Sequence, residues 1–180
     1  MNIGLFYGST TCYTEIAAEK IQQYFAENIK NDFSIELFNI KDVALKDCQH
    51  VDLLIFGIST WDYGEIQEDW ESHWDEIATL DLSNKVIALF GMGDQIGYTD
   101  WFQDALGMLH QQVIEQGAYC IGYWPNQGYD FAASKALTPD NSQFVGLALD
   151  EDNQYDLSDE RISQWCQQVN SEIIALLSHD

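Results

Sequence analysis

A hydroxyl-rich segment near the N-terminus could bind a phosphate group. It reads Gly8-Ser9-Thr10-Thr11-Cys12-Tyr13-Thr14 and carries four Ser and Thr hydroxyls. The segment opens a stretch with helical periodicity, and free amide N–H groups at a helix N-terminus attract anions. It contains no Gly-Lys-Ser/Thr, which excludes a Walker A loop, and Ala18 rather than Arg follows six residues after Cys12, which excludes a tyrosine-phosphatase loop. An ordinary Ser- and Thr-rich turn between a strand and a helix is the alternative at this point.

Two later loops carry aromatic residues that could hold a flat ring. They read Thr60-Trp61-Asp62-Tyr63-Gly64-Glu65 and Gly91-Met92-Gly93-Asp94-Gln95-Ile96-Gly97-Tyr98. A planar ring could stack on Trp61, for about 1 kcal/mol beyond the burial of its area, with Tyr98 over its other face. Asp94 could accept a hydrogen bond from a ring N–H, and the glycines permit close approach of the backbone. Trp61 as a core residue is the alternative, but the three loops together favour a mononucleotide with a large flat base.

The segments between these loops alternate between strand and helix patterns. Near-continuous apolar runs predict strands that are buried on both faces, and apolar residues at helical spacing predict amphipathic helices. Five strand–helix units in sequence predict an α/β fold: a three-layer, doubly wound, five-stranded parallel sheet in the order 2-1-3-4-5. In that order the three loops meet at the carboxyl ends of the strands. Strands are predicted over 3–7, 33–38, 51–58, 85–90, 118–122 and 144–149, and helices over 15–29 and 68–77. A further helix is predicted to begin at about Asp100, where Asp100 and Gln103 could form a capping box. The last helix is predicted to begin at Ser158 as its N-cap residue.

The charge of the chain limits its partners. Seven basic residues stand against 30 acidic ones, for a formal charge of −23 over 180 residues. We expect one domain over 1–180, a soluble monomer, and no binding to nucleic acid or anionic membranes. A partner is expected to be a protein with a basic face, although the acids could simply solvate the surface. The absence of a long apolar run and of a basic N-terminal region predicts a cytoplasmic protein.

The residue types expected of an enzyme or a metal centre are scattered. The four histidines and four cysteines form no HxxxH or CxxC pattern, and no residue is marked as a nucleophile or general base. This pattern favours a carrier over an enzyme and predicts no metal site.

The loops together resemble those of flavodoxins. Residues 144–150 (Phe-Val-Gly-Leu-Ala-Leu-Asp) and 152–154 (Asp-Asn-Gln) are similar to the C-terminal segment of the family. Residues 123–143 resemble the insertion that splits the last strand in long-chain flavodoxins, such as those of enteric bacteria. The resemblance covers the whole chain and implies non-covalently bound flavin mononucleotide (FMN).

The resemblance also implies a role for each site residue. Tyr63 stands where some flavodoxins have Gly, and a positive φ at Tyr63 would cost about 1 kcal/mol or more. The implied phosphate ligands are the hydroxyls of Ser9, Thr10, Thr11 and Thr14 and the backbone of Cys12 and Tyr13. The residues implied to line the flavin ring are Thr60, Trp61, Asp62, Tyr63, Gly64 and Gly93, with Trp61 and Tyr98 stacked on its two faces. Asp94 is implied to contact the pyrimidine edge of the ring, and Asp150 to lie near the ribityl chain or behind it.

The implied function is that of a low-potential one-electron carrier. It would take electrons from an NADP-dependent flavodoxin or ferredoxin reductase and pass them to acceptor redox enzymes, through basic faces on both partners. An FMN-dependent quinone reductase is a rival, disfavoured because Trp61 and Tyr98 would block both ring faces. A receiver domain is disfavoured because residues 7–9 and 59–61 carry no acidic cluster and no phosphoacceptor Asp. A flavin-free interaction module is the third rival.

Overall fold

In the computed structural model, which describes residues 2–29 and 33–178, a parallel sheet carries helices on both faces. Short 3₁₀ turns cover Leu45–His50 and Thr99–Trp101. The remaining elements are β1 (Asn2–Tyr7), α1 (Tyr13–Asn28), β2 (Ser34–Asn39), β3 (Leu53–Trp61), β4 (Glu65–Ile66), α2 (Glu68–Ser72), α3 (Trp74–Ile77), β5 (Val86–Met92), α4 (Asp104–Glu115), β6 (Tyr119–Ile121), β7 (Trp124–Pro125), β8 (Gln143–Phe144), β9 (Leu147–Leu149) and α5 (Tyr155–Leu177).

The sheet has the predicted topology. Its strands lie in the order β2-β1-β3-β5, and the place beyond β5 is shared by β6 and β9, all in parallel. Residues 86–88 pair with β6 and residues 90–92 pair with β9, so the last strand is split in two. The predicted order 2-1-3-4-5 and the split are therefore confirmed. The predicted fourth strand is labelled β5 here because β4 is an additional two-residue strand, antiparallel to the end of β3.

The sheet is covered on both faces because its central strands are apolar at nearly every position. Phe56 of β3 lies 5.5 Å from Trp70 of α2, measured between ring centroids, and Phe90 of β5 lies 6.5 Å from Trp165 of α5. Phe90 is paired with Gly57, the neighbour of Phe56, so the two phenylalanines point to opposite faces. Helices α2 and α5 therefore cover opposite faces, and α1 packs beside α5.

The predicted capping box at the start of α4 is wrong. Residues 99–101 form a 3₁₀ turn, and α4 begins only at Asp104, after Gln103 in a left-handed conformation with φ 62°. The Gln103 side chain is buried and donates to the carbonyl oxygens of Gly91 and Leu149, at 3.2 and 3.0 Å. Contacts to two strands thus override the local capping signal.

Two other predicted helices differ in their bounds. The helix over 68–77 is divided at His73, whose Nε2 donates to the carbonyl oxygen of Ile40 at 3.0 Å. The last helix begins at Tyr155, and Ser158 is not its N-cap. Ser158 is buried and donates its hydroxyl hydrogen to the carboxylate of Glu151, a contact outside the helix.

Candidate functional site

A cavity of about 290 Å³ opens at the carboxyl ends of β1, β3 and β5. Ligands of doubly wound sheets bind at this edge, where the strand order reverses between β1 and β3. Nine residues predicted from the sequence line the cavity: Thr11, Tyr13, Thr14, Thr60, Trp61, Asp62, Gly93, Asp94 and Tyr98. Four lining residues were not predicted: Ser59, Met92, Glu151 and Asp152. The predicted residues outside the lining are Ser9, Thr10, Cys12, Tyr63, Gly64 and Asp150.

The N-terminus of α1 is open toward an anion. The helix starts after Cys12, which has φ 68° and whose side chain makes no capping hydrogen bond. The first-turn amides of a helix have no partner within the helix. The hydroxyl oxygen of Ser9 is buried and has no hydrogen-bond partner, while Thr14 is 1% exposed and lines the cavity. A buried hydroxyl without a partner beside an uncapped helix start fits a phosphate group.

Thr10 is engaged by protein groups instead. Its hydroxyl accepts from Nε2 of Gln67 at 3.1 Å and donates to the carboxylate of Glu68 at 3.4 Å. Gln67 is itself buried and its Oε1 accepts from the amide of Trp70 at 3.3 Å. This arrangement ties the loop after β1 to the start of α2.

The loop after β3 is a tight hairpin that presents Trp61. The backbone turns through positive φ at Asp62 (41°) and Gly64 (87°), the two neighbours of Tyr63. The indole Nε1 of Trp61 donates to the hydroxyl of Ser59 at 3.1 Å, which fixes the ring edge. Thr60 lines the cavity and also accepts from the amide of Ala105 at 3.0 Å, which satisfies one amide in the first turn of α4.

Tyr98 and its neighbours join this hairpin to the loop after β5. The Tyr98 hydroxyl donates to the carboxylate of Asp62 at 3.2 Å, and this bond is the main reason why the pKa of Tyr98 is raised. Tyr63 is 70% exposed and lies edge-on against Tyr98 and Trp101, with centroids 6.3 and 5.1 Å away. Trp61 and Tyr98 thus line one cavity from two different loops.

The carboxylate of Asp94 organises its own loop. Its Oδ1 accepts from the amides of Ile96 and Gly97, at 3.0 and 2.7 Å, and from the side chain of Asn153 at 2.8 Å. Partial burial opposes ionisation of this carboxyl, but the bonds from Gly97, Asn153 and Ile96 prevail and lower its pKa. Asp94 is therefore held ionised and ordered at the cavity wall.

Residues 5–165 match the family model described as flavodoxin. The chain belongs to the flavodoxin family. It is 54% identical over 173 residues to Flavodoxin 2 of Escherichia coli strain K12, which covers 96% of this chain and 97% of that protein. The predicted likeness to the flavodoxins of enteric bacteria is confirmed.

Two further relatives agree with this assignment. The flavodoxin of Synechococcus elongatus is 46% identical over 170 residues, covering 94% of this chain and 96% of its own. The crystal structure of Fusobacterium nucleatum flavodoxin bound to flavin mononucleotide matches with a TM-score of 0.86 at 27% identity, covering 95% of this chain and 98% of that chain. The family and the fold are thus supported by sequence and by structure.

Asp150 of this flavodoxin lies behind the site and connects its loops. It is 0% exposed and follows β9, whose three residues are all buried. Its Oδ2 accepts from the backbone and side-chain nitrogens of Gln95, at 3.1 and 2.7 Å, and its carboxylate also accepts from the side chain of Asn153. Asn153 bonds to Asp94 as well, so Asp150 holds two loops together through neutral donors.

The cavity of this flavodoxin is acidic. Asp62, Asp94, Glu151 and Asp152 line it, and among residues 2–29 and 33–178 no Lys or Arg does. Burial and the nearby carboxylates of Asp94 and Asp150 raise the pKa of Asp152. Glu151 and Asp152 were missed, although their place just after β9 at the same sheet edge is visible in the sequence.

Within residues 2–29 and 33–178 no helix has the length and apolar character needed to cross a membrane. The same ranges hold no group of three or more His, Cys, Asp or Glu residues arranged to bind a metal ion.

Proposed function

We propose that this chain binds FMN non-covalently in the cavity described above and acts as a low-potential one-electron carrier. The observation that carries the proposal is the meeting, in one region, of an uncapped helix N-terminus with the unpartnered hydroxyl of Ser9 and of two aromatic side chains, Trp61 and Tyr98. The Fusobacterium nucleatum flavodoxin of similar structure is bound to FMN, which supports the same cofactor here.

Each part of the cavity has a distinct task in this proposal. The amides at the start of α1, with the hydroxyls of Ser9 and Thr14, would hold the phosphate without a basic side chain. Trp61 and Tyr98 would stack on the ring and exclude water from its faces. Bound FMN supplies the capacity to accept and release single electrons, and the protein sets the potential.

The carboxylates of the site would keep that potential low. Asp62, Asp94, Glu151 and Asp152 place negative charge around a ring that becomes more negative as it is reduced. Each ionised carboxylate opposes the added electron. The acidic lining thus supports a low potential.

The family assignment makes this chain an electron-transfer protein and not an enzyme. Its partners would be an NADP-dependent flavodoxin or ferredoxin reductase and acceptor redox enzymes, in the cytoplasm. The formal charge of −23 favours basic faces on both partners. We expect the rate of electron transfer from such a reductase to fall steeply as salt is added, and a rate independent of ionic strength would contradict this assignment of partners.

Titration of the apoprotein with FMN tests the binding proposal. Binding should quench the fluorescence of FMN as its ring stacks on Trp61. Ser9→Ala should weaken FMN binding about 10- to 100-fold, the loss expected for one hydrogen bond to a charged group. It should leave the stability of the apoprotein unchanged, because this hydroxyl has no partner in the protein.

The matched control is Ser171→Ala on the exposed face of α5, far from the cavity. It should bind FMN as the wild-type protein does. An apoprotein that takes up no FMN would refute the proposed function, and equal affinities of the two variants would refute the role of Ser9.

A further inference from the structure

A second cavity, of about 500 Å³, lies between α5 and the segment that splits the last strand. It shares no lining residue with the first cavity. One part of its wall is apolar, with Trp124, Pro125 and Leu157. The polar part of the wall consists of Gln127, Gly128, Glu160, Arg161, Gln164 and Gln168.

Arg161 is the single arginine of the chain and lies buried in this wall. It is 8% exposed, and its guanidinium carbon lies 4.2 Å from the ring centroid of Tyr129. Its Nη1 is buried without a hydrogen-bond partner. The ion pairs found in residues 2–29 and 33–178 do not include Arg161. A buried cation without a carboxylate is costly, which indicates that an anion belongs beside it.

The neighbouring groups do not supply the missing negative charge. Burial raises the pKa of Tyr129 to about 12, so its phenol stays neutral at physiological pH. That hydroxyl is also occupied, because it donates to the carbonyl oxygen of Ala148 at 2.7 Å and accepts from the indole of Trp124 at 2.9 Å. The carboxylate of Glu160 accepts from Nε2 of Gln164 at 2.9 Å, one turn along α5, and forms no ion pair with Arg161.

We propose that this cavity binds a small organic carboxylate, with the carboxylate against Arg161 and an apolar body against Trp124, Pro125 and Leu157. A guanidinium binds a carboxylate through two parallel hydrogen bonds. A carboxylate carries one negative charge and offsets the one positive charge of Arg161. A phosphate dianion carries two, so it would leave an uncompensated negative charge beside Glu160. The apolar wall suits a ligand with a hydrophobic part rather than an inorganic ion.

Nuclear magnetic resonance of the ¹⁵N-labelled, FMN-loaded protein tests this proposal directly. Because the chain has one arginine, its side-chain Nε–H gives one signal that needs no separation from others. The probe is phenylacetate, with uncharged phenylacetamide and inorganic phosphate as comparisons. Phenylacetate should shift both the Arg161 Nε signal and the Trp124 indole signal. The two shifts should follow the same saturating dependence on phenylacetate concentration. Phenylacetamide and phosphate should each bind at least about tenfold more weakly, because each lacks one of the two matching features.

Two variants locate the effect. Arg161→Gln should abolish the shift of the Trp124 indole signal, whereas Lys20→Gln, which removes the same charge from a partly exposed residue paired with Asp159, should retain it. If Arg161→Gln does not fold, the wild-type titration still decides. Equal responses to phenylacetate and phenylacetamide, a stronger response to phosphate, or shifts that never saturate would each overturn the proposal.

Discussion

Gln95 is predicted to be the residue that couples the loop after β5 to its surroundings. It is 2% exposed, and its Nε2 donates to the buried carboxylate of Asp150 at 2.7 Å. Its Oε1 accepts from the backbone amide of Asp130, in the segment that splits the last strand, at 2.6 Å. One side chain thus joins a loop of the cavity, the end of β9 and the inserted segment.

The cost of removing this side chain follows from the two bonds. A hydrogen bond to a charged group contributes about 1.5–3 kcal/mol and a neutral one about 0.5–1.5 kcal/mol. After the substitution Asp150 keeps other hydrogen-bond donors, among them the backbone amide of residue 95 and the Asn153 side chain. The loss of the bond to Asp150 should therefore lie in the lower part of the range for charged groups. Gln95→Ala should therefore lower the free energy of unfolding by about 2–3 kcal/mol. For a chain of this size that corresponds to a fall in Tm of roughly 4–12 °C.

Urea unfolding of the apoprotein measures this effect. The midpoint should fall while the slope m stays constant, as expected for lost contacts in a native state of unchanged compactness. Gln111→Ala on the exposed face of α4 is the matched control, and it should change stability by less than about 0.5 kcal/mol. If Gln95→Ala costs no more than this control, Gln95 does not couple the three segments.

Three further predictions concern the cavity loops. Gly64→Ala should lower the free energy of unfolding by about 1–2 kcal/mol, because Gly64 has φ 87° and an added Cβ would lie 3.0 Å from Oδ2 of Asp104; a change under about 0.3 kcal/mol in urea unfolding would contradict this. The lowered pKa of Asp94 means that its ionised form stabilises the folded state above its ordinary pKa of about 4, and that this stability is lost as the pH falls. The stability difference between the wild-type protein and Asp94→Asn should therefore shrink below about pH 4, and a difference that grows there would refute the sign. Asp62→Asn should raise the potential of the second electron, by roughly 35–75 mV for a single carboxylate charge that acts over about 10 Å, and redox titration showing no rise would exclude this field effect.

The strands were predictable because their signal is local. The runs in β3 and β5 are apolar at nearly every position, as expected of strands covered on both faces. The loops that follow these strands supply part of the cavity lining. Topology rules then order the sheet and bring the loops together. The edge that carries the site therefore follows from the sequence.

The helix starts were less predictable because tertiary contacts decide them. The motif from Asp100 to Gln103 is a good capping signal, yet Phe102 is buried to 1% exposure and the Gln103 side chain bonds to two strands. Ser158 is likewise not an N-cap, because its hydroxyl donates to Glu151. The local capping patterns around Gln103 and Ser158 do not reveal these hydrogen-bond partners.

Side-chain direction explains the differences around the site. Asp150 ends a run of buried residues and is itself buried, so the acidic residues after β9 that line the cavity are Glu151 and Asp152. Positive φ occurs at Asp62 and Gly64, on either side of Tyr63, because the hairpin of β3 and β4 fixes the turn. Patterns of residue type do not encode such orientations.

Stepwise reduction of the FMN-loaded protein, followed by its absorption spectrum under a controlled potential, tests the central claim most directly. We predict flavin absorption near 370 and 450 nm, as expected of bound FMN, that is lost in two separate one-electron steps, the second at a low potential. Loss of the flavin absorption in a single two-electron step, or rapid loss on addition of NADPH alone, would contradict the assignment of this chain as a one-electron carrier.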